Sequence, residues 1–270
     1  MPLDNPLDEI TTNALRKRNA EPQAQMTLGA HLEELRRHVI VSLYALFGAL
    51  CLCLVDQQFY MKLVLLPHTQ AMKALNLPPT IQVLHYEESF FSHLKIAFIV
   101  AIIMAAPYMI YQLWLFVSAG LYRNEKKYVQ LFFPAAVGLF MIGVAFGYFI
   151  LIPLGLRFLA SYGIEEIHVG FTLSSYLSLF FILTIVSGLI FELPLIMLFL
   201  TIARLCPSEY YLRYWRYFVL FAFVIAAILT PPDIATQILM AIPLVLLYFF
   251  GFVICRIAER IRVIRVFLST

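Results

Sequence analysis

Charge is what this sequence has least of. Only 13% of its 270 residues are Asp, Glu, Lys or Arg, about half the share in a soluble domain, while 62% are hydrophobic. One soluble core cannot bury that surplus, so the bilayer is the solvent. A bilayer offers no water to backbone amides, which leaves helices or a closed barrel. The apolar runs are long and unbroken, without the alternation of barrel strands, and that excludes the barrel.

Other absences narrow the function. Cys51, Cys53, Cys206 and Cys255 show no Cys-x-x-Cys spacing and fall in or beside apolar segments, so they read as packing residues rather than metal ligands or a disulfide framework. None of the six histidines forms the i, i+4 pair around a glutamate that a zinc protease needs, and no glycine-rich loop is present to cradle phosphate. No cofactor or metal is expected, and nothing argues for catalysis. A net charge of +3 is too small to suggest a nucleic-acid partner. No internal repeat relates the two halves, which weakens an inverted-repeat transporter. The first apolar run begins only near Val39, behind a polar, proline-bearing stretch, so no cleavable signal peptide is expected and the first span serves as its own insertion signal.

What is present is a series of charge-free runs: 39–55, 96–122, 129–156, 170–191 continued by 193–203, 217–232 and 234–255. These give six spans. The fifth run holds 16 residues, roughly 24 Å as helix against a hydrocarbon core about 30 Å thick. All but Lys62, Lys73, Lys95 and Arg157 of the 19 Lys and Arg residues fall on one side, which places both termini of a multi-pass membrane protein in the cytoplasm. The first outer loop, 56–89, carries Pro67, Pro78 and Pro79 between short apolar stretches and is expected to fold as a cap. Pro107, Pro134, Pro153, Pro194 and Pro243 fall in or beside spans as kinks. The expected fold is an all-α membrane protein of six transmembrane helices, a kinked, concave bundle closing on a short hairpin of the fifth and sixth helices. Residues 1–27 read as a disordered cytoplasmic extension, 28–254 as the transmembrane domain and 255–270 as a basic cytoplasmic tail.

Three carboxylates stand out. Glu192, within Phe191-Glu-Leu-Pro194, sits in a long apolar helix beside a kink. Such a group costs about 2.5 to 3.5 kcal/mol at a span centre, so it is either functional or protonated and hydrogen-bonded to a neighbouring helix. Glu34 and Glu125 lie in basic cytoplasmic segments and could bind the guanidinium of an external arginine in two parallel hydrogen bonds. From charge pattern alone, each is better read as pairing with an adjacent Lys or Arg on a solvated face. Gln112, Trp114, Phe116 and Tyr122 cluster at the end of the second span and, taken alone, look like an aromatic belt.

The motifs together resemble the TatC family, the multi-spanning subunit of the twin-arginine protein translocase. They are His31-Leu-Glu-Glu-Leu-Arg36, Tyr111-Gln-Leu-Trp-Leu-Phe116, Leu121-Tyr-Arg-Asn-Glu-Lys-Lys127, Phe191-Glu-Leu-Pro194 and Leu229-Thr-Pro-Pro-Asp233, followed by Gln237 and Ala241-Ile-Pro243. One departure is Ala119, where the family commonly has proline before Gly-Leu-Tyr. The resemblance implies a receptor for twin-arginine signal peptides of folded cargo, driven by the proton-motive force and working with the single-span subunits TatA and TatB, with self-association. It implies that Glu34 and Glu125 receive the paired arginines, reversing the reading from charge pattern, with Phe116, Tyr122 and Arg123 around them. Glu192 becomes an intramembrane polar site for the inserted peptide or a partner helix. Thr230, Asp233 and Gln237 border the docking site of a partner helix. The competing reading is a secondary transporter of a small solute.

Overall fold

The computed structural model describes residues 28–119, 126–160, 172–229 and 234–267, and these are helical almost throughout. In chain order the helices are α1 (Leu28–Cys53), α2 (Gln57–Ala74), α3 (Tyr86–Ala119), α4 (Lys126–Phe146), α5 (Ile152–Ala160), α6 (Leu173–Phe191), α7 (Leu193–Ile202), α8 (Ser208–Leu229) and α9 (Ile234–Phe267). Among the described residues six stretches are long and apolar enough to cross a membrane. They are α1, α3, α4 with α5, α6 with α7, α8 and α9.

Each break in a span has a local cause. Between α4 and α5 the chain makes one π-helical turn, Gly147–Leu151, just before Pro153, whose missing N–H forbids a regular turn. Between α6 and α7, Glu192 ends one helix and opens the next, with Pro194 in the first turn of α7. Pro107, Pro134 and Pro243 lie inside α3, α4 and α9.

Helix α2 gives the expected cap its structure. Asp56 caps it, its Oδ1 accepting from the Phe59 N–H at 3.2 Å, and Asn76, with φ of 56°, turns the chain out at the other end. Val64, Pro67, His68, Ala71 and Met72 recur at helical spacing and are buried. Pro67 cannot donate to the Leu63 carbonyl one turn back, and the Tyr148 hydroxyl fills that vacancy at 2.7 Å. The Tyr176 hydroxyl bonds the next carbonyl, Val64 O. Two tyrosines from the spans thus hold the cap against the π turn and α6.

At the α4–α6 crossing the backbones nearly touch. A Cβ on Gly143 would lie 2.6 Å from the Ser187 carbonyl oxygen, and the Ser187 hydroxyl donates to Gly143 O at 2.7 Å. By contrast α1 packs chiefly on α3 and α8 chiefly on α9, and most of the apolar length of both stays outside the core, Cys53, Ala222 and Ala226 being buried exceptions. The helices therefore form an open, curved array with α1 and α8 at its two edges.

The last hairpin differs in length from expectation. The fifth span is the shortest of the six, but α8 runs 22 residues, about 33 Å, and α9 runs 34. Counting charge-free residues stops at Arg216 and Arg256, whereas the helices continue through them, because long cationic side chains reach water from within a helix. The expected start of the tail at 255 likewise falls inside α9.

Candidate signal-peptide site

Alternating spans bring the start of α1 and the end of α3 to one end of the array, together with the α7–α8 turn and the end of α9. The exposed guanidiniums Arg36, Arg37, Arg204, Arg213, Arg216 and Arg256 gather there.

On α1 the side chains of His31, Glu34 and His38, three and four residues apart, share one face. That face lies against α3. His31 stacks on Phe116 with ring centroids 4.5 Å apart and 24° between planes. His38 Nδ1 bonds Gln112 Oε1 at 2.7 Å, which makes Nδ1 the donor. Gln112 and Phe116 are one turn apart on α3, so the two antiparallel helices carry matched polar and aromatic contacts.

Glu34 sits between those contacts, and its Oε2 is buried with no hydrogen-bond partner among the described residues. The ion pair among the described residues is Glu33 to Arg36 at 3.6 Å, on the exposed side of α1. Arg36 therefore engages Glu33, and Glu34 keeps a carboxylate oxygen unsatisfied among the described residues. A shielded carboxylate of this kind is strongly favoured to take up a cation that brings its own donors.

The expected aromatic belt is not what the second span holds. Trp114 is buried, stacked on Phe132 at 5.3 Å and edge-on to Phe199 at 5.5 Å, so it locks α3 to α4 and α7. Gln112 is buried as well. Phe116, on the opposite face of α3 from Trp114, is free to meet α1.

The other expected residues are dispersed. Tyr122, Arg123 and Glu125 lie outside the described residues, as do Thr230 and Asp233. Gln237, in the first turns of α9, donates from Nε2 to the Phe223 carbonyl of α8 at 3.0 Å and so ties the last hairpin together. Glu192 is half-buried at the α6–α7 break, with Oε1 unpartnered. Nearby, a Cβ on Gly251 would lie 3.0 Å from Pro194 Cα, so α9 abuts the start of α7.

Several polar ties were not foreseen. Glu88 accepts from the Leu84 and Ser174 N–H groups, each at 2.8 Å, bridging the N-terminal ends of α3 and α6. Lys95 Nζ donates to Ser178 Oγ at 2.8 Å along the same two helices. Glu259 of α9 receives the N–H of Ser208 at 2.9 Å, and its hydroxyl, at the start of α8. The signal that could have found the first of these was the pattern of Glu88, Ser92 and Lys95 on one helical face. The four cysteines are free, and among the described residues no group of His, Cys, Asp and Glu is placed to hold a metal.

Six spans in an open array, with a shielded carboxylate at its charged end, define a polytopic helical membrane protein. Comparison with known proteins narrows that class. The family model for TatC, the Sec-independent protein translocase protein, matches residues 30–243. The TatC of Koribacter versatilis is 35% identical over 237 residues, covering 87% of each chain. That of Helicobacter pylori is 34% identical over 232 residues, covering 86% of this chain and 88% of the relative. A crystal structure of the twin arginine translocase receptor TatC superposes with a TM-score of 0.75 at 31% identity, over 85% of this chain and 99% of that one. The chain belongs to the TatC family.

Proposed function

We propose that this chain is the receptor subunit of a twin-arginine translocase, binding the signal peptides of folded cargo at the cytoplasmic end of α1 and α3. The observation that carries the reading is the buried, unpartnered Oε2 of Glu34, left free while Glu33 takes the neighbouring arginine. A guanidinium offers such a carboxylate two parallel donors in a plane, which an ammonium does not. In this reading Glu125 receives the second arginine, and Phe116 with Tyr122 and Arg123 lines the approach. Positive charge gathered at that end supports an inner-membrane topology with both termini cytoplasmic, the 28–254 unit in the bilayer and a basic tail from 255.

The unpartnered Oε1 of Glu192 provides an intramembrane polar site for an inserted peptide or a partner helix. Thr230, Asp233 and Gln237 border the docking site of a TatA or TatB helix on α8 and α9, and the uncovered edges of the array favour self-association. Translocation draws on the proton-motive force. A solute transporter would need several polar groups around a midplane site, and Glu192 stands without such company among the described residues. The test is export of a folded twin-arginine reporter in cells whose own TatC is replaced by this chain. Glu34→Ala and Glu125→Ala should each abolish export while the protein remains inserted, and normal export by the double variant would refute the reading.

A further inference from the structure

The edge helix α8 carries a feature that signal-peptide recognition does not use. Tyr210, Arg213, Tyr214 and Tyr217 recur at i, i+3, i+4 and i+7, so they form one exposed stripe over its first two turns. The stripe continues down the same face as Phe221, Val224 and Ile228, all exposed. From Tyr210 to Val224, about 21 Å along the helix, one face thus passes from cationic and aromatic to wholly apolar within the depth of a single lipid leaflet and its headgroups, and Ile228 lies beyond it at the far end of the span.

The upper part is assembled rather than scattered. Tyr210 stacks on Tyr214 at 6.0 Å between centroids, and Tyr217 lies 6.0 Å from Tyr214 on its other side. The Arg213 guanidinium sits 6.0 Å from the Tyr214 ring centre, and that of Arg216 sits 5.9 Å from the Trp215 ring centre. Neither arginine has a carboxylate within ion-pair distance among the described residues, where Glu33 with Arg36 is the pair formed. The nearest acidic groups do not serve. Glu209 forms no such pair, and Glu259 is engaged by Ser208. Arg256, over Phe252 on α9, adds positive charge of the same kind.

We propose that this collar is a binding surface for the headgroup phosphate of an anionic phospholipid, with the acyl chains lying along Phe221 and Val224, clear of the far end of α8 where Thr230 borders the partner-helix site. Charge complementarity chooses the occupant. Two guanidiniums without carboxylates attract a net negative headgroup, their planar donors match phosphate oxygens, and the tyrosine hydroxyls sit at the depth where aromatic side chains meet headgroups. A zwitterionic headgroup would bring an ammonium toward the arginines. A water-soluble acidic segment could satisfy the charges but not the apolar continuation of the same face. The bound lipid anchors α8, which has only α9 as its major neighbour, at the edge of the array.

The test uses the full chain in nanodiscs of phosphatidylcholine doped with phosphatidylglycerol, with retained lipid counted by native mass spectrometry. Phosphatidylglycerol should be retained in preference to phosphatidylcholine. The R213Q/R216Q variant should bind it about thirtyfold more weakly, from the loss of two interfacial cations. R213K/R216K, which keeps the charge, should fall between the two, and K62Q/K73Q, with the same charge change on exposed α2 positions, should match the parent chain. Tyr214→Leu, which leaves the charge intact, should weaken retention as well. Equal retention of the two lipids, undiminished phosphatidylglycerol binding in R213Q/R216Q, or an equal loss in K62Q/K73Q would overturn the proposal. Loss of an acidic protein partner from R213Q/R216Q with lipid retention unchanged would overturn it in favour of a protein interface.

Discussion

His31 lies against Phe116 with ring centroids 4.5 Å apart, one helical turn from the Glu34 carboxylate and on the same side of α1. The stack joins two helices whose partners are 85 residues apart in the chain, and it leaves an aromatic surface beside a carboxylate oxygen that has no donor. Guanidinium groups favour that combination, because the plane that pairs with a carboxylate also stacks on a ring.

Replacing Phe116 by Ala removes the stack without touching a charge. An aromatic pair of this kind is worth about 0.5 to 1.5 kcal/mol beyond its burial, so affinity for a twin-arginine peptide should fall roughly two- to tenfold. Peptide titration followed by fluorescence anisotropy reads this directly. Unchanged affinity would remove Phe116 from the site.

Gly143→Val should be poorly tolerated for a backbone reason. A Cβ there would lie 2.6 Å from the Ser187 carbonyl, so α4 and α6 must move apart and strain the Ser187 hydrogen bond. Overpacking of this kind costs about 1 to 3 kcal/mol or more. The melting temperature in detergent should drop, whereas Gly138→Val, where a Cβ would meet nothing within 4 Å, should not share the drop.

His68 gives the cap a pH dependence. It is fully buried in α2, edge-on to Tyr176 at 5.3 Å, and burial pushes its imidazole below the ordinary range. Below about pH 6.5 the unfolded chain takes up a proton that the folded chain resists, so stability falls as pH drops through that value. Above it both states are neutral and the contribution is constant. A melting-temperature series from about pH 7.5 to 5 should slope downward toward acid, and His68→Leu should flatten part of that slope.

Glu88→Gln should loosen the end of the bundle opposite the peptide site. The carboxylate, in the first turn of α3, accepts from the Leu84 N–H just before that helix and from the Ser174 N–H in the first turn of α6, and a neutral amide satisfies those N–H groups less well. Hydrogen exchange at Leu84 and Ser174 should accelerate, while exchange in α9 stays as it was. Protection unchanged at both amides would show that the bridge does not hold those ends.

The spans were legible because a bilayer demands long apolar runs, and charge-free stretches report those runs directly. Other features resist sequence reading for stated reasons. Pro67 reads as a loop signal, yet it lies inside α2, because Tyr148 supplies the hydrogen bond that the proline cannot. The π turn at Gly147–Leu151 leaves no periodic signature of its own. The length of α8 was hidden by Arg213 and Arg216, which end a charge-free run without ending a helix.

At the proposed peptide site, Glu33 and Glu34 both stand within a helical turn of Arg36 and Arg37 in the sequence. Only the packing of α1 on α3, through His31 with Phe116 and His38 with Gln112, turns Glu34 inward and leaves Glu33 to the arginine. Trp114 and Phe116 likewise read as one cluster in sequence, although they face opposite sides of α3. Contacts between residues far apart in the chain decided both cases.

Recognition of arginine by Glu34 can be read by titrating the purified chain with labelled signal peptides. A peptide with the arginine pair should bind saturably, its twin-lysine counterpart should bind far more weakly, and Glu34→Gln should abolish the difference by removing the charge while keeping the shape. Equal binding of the two peptides, or undiminished arginine preference in Glu34→Gln, would contradict the account.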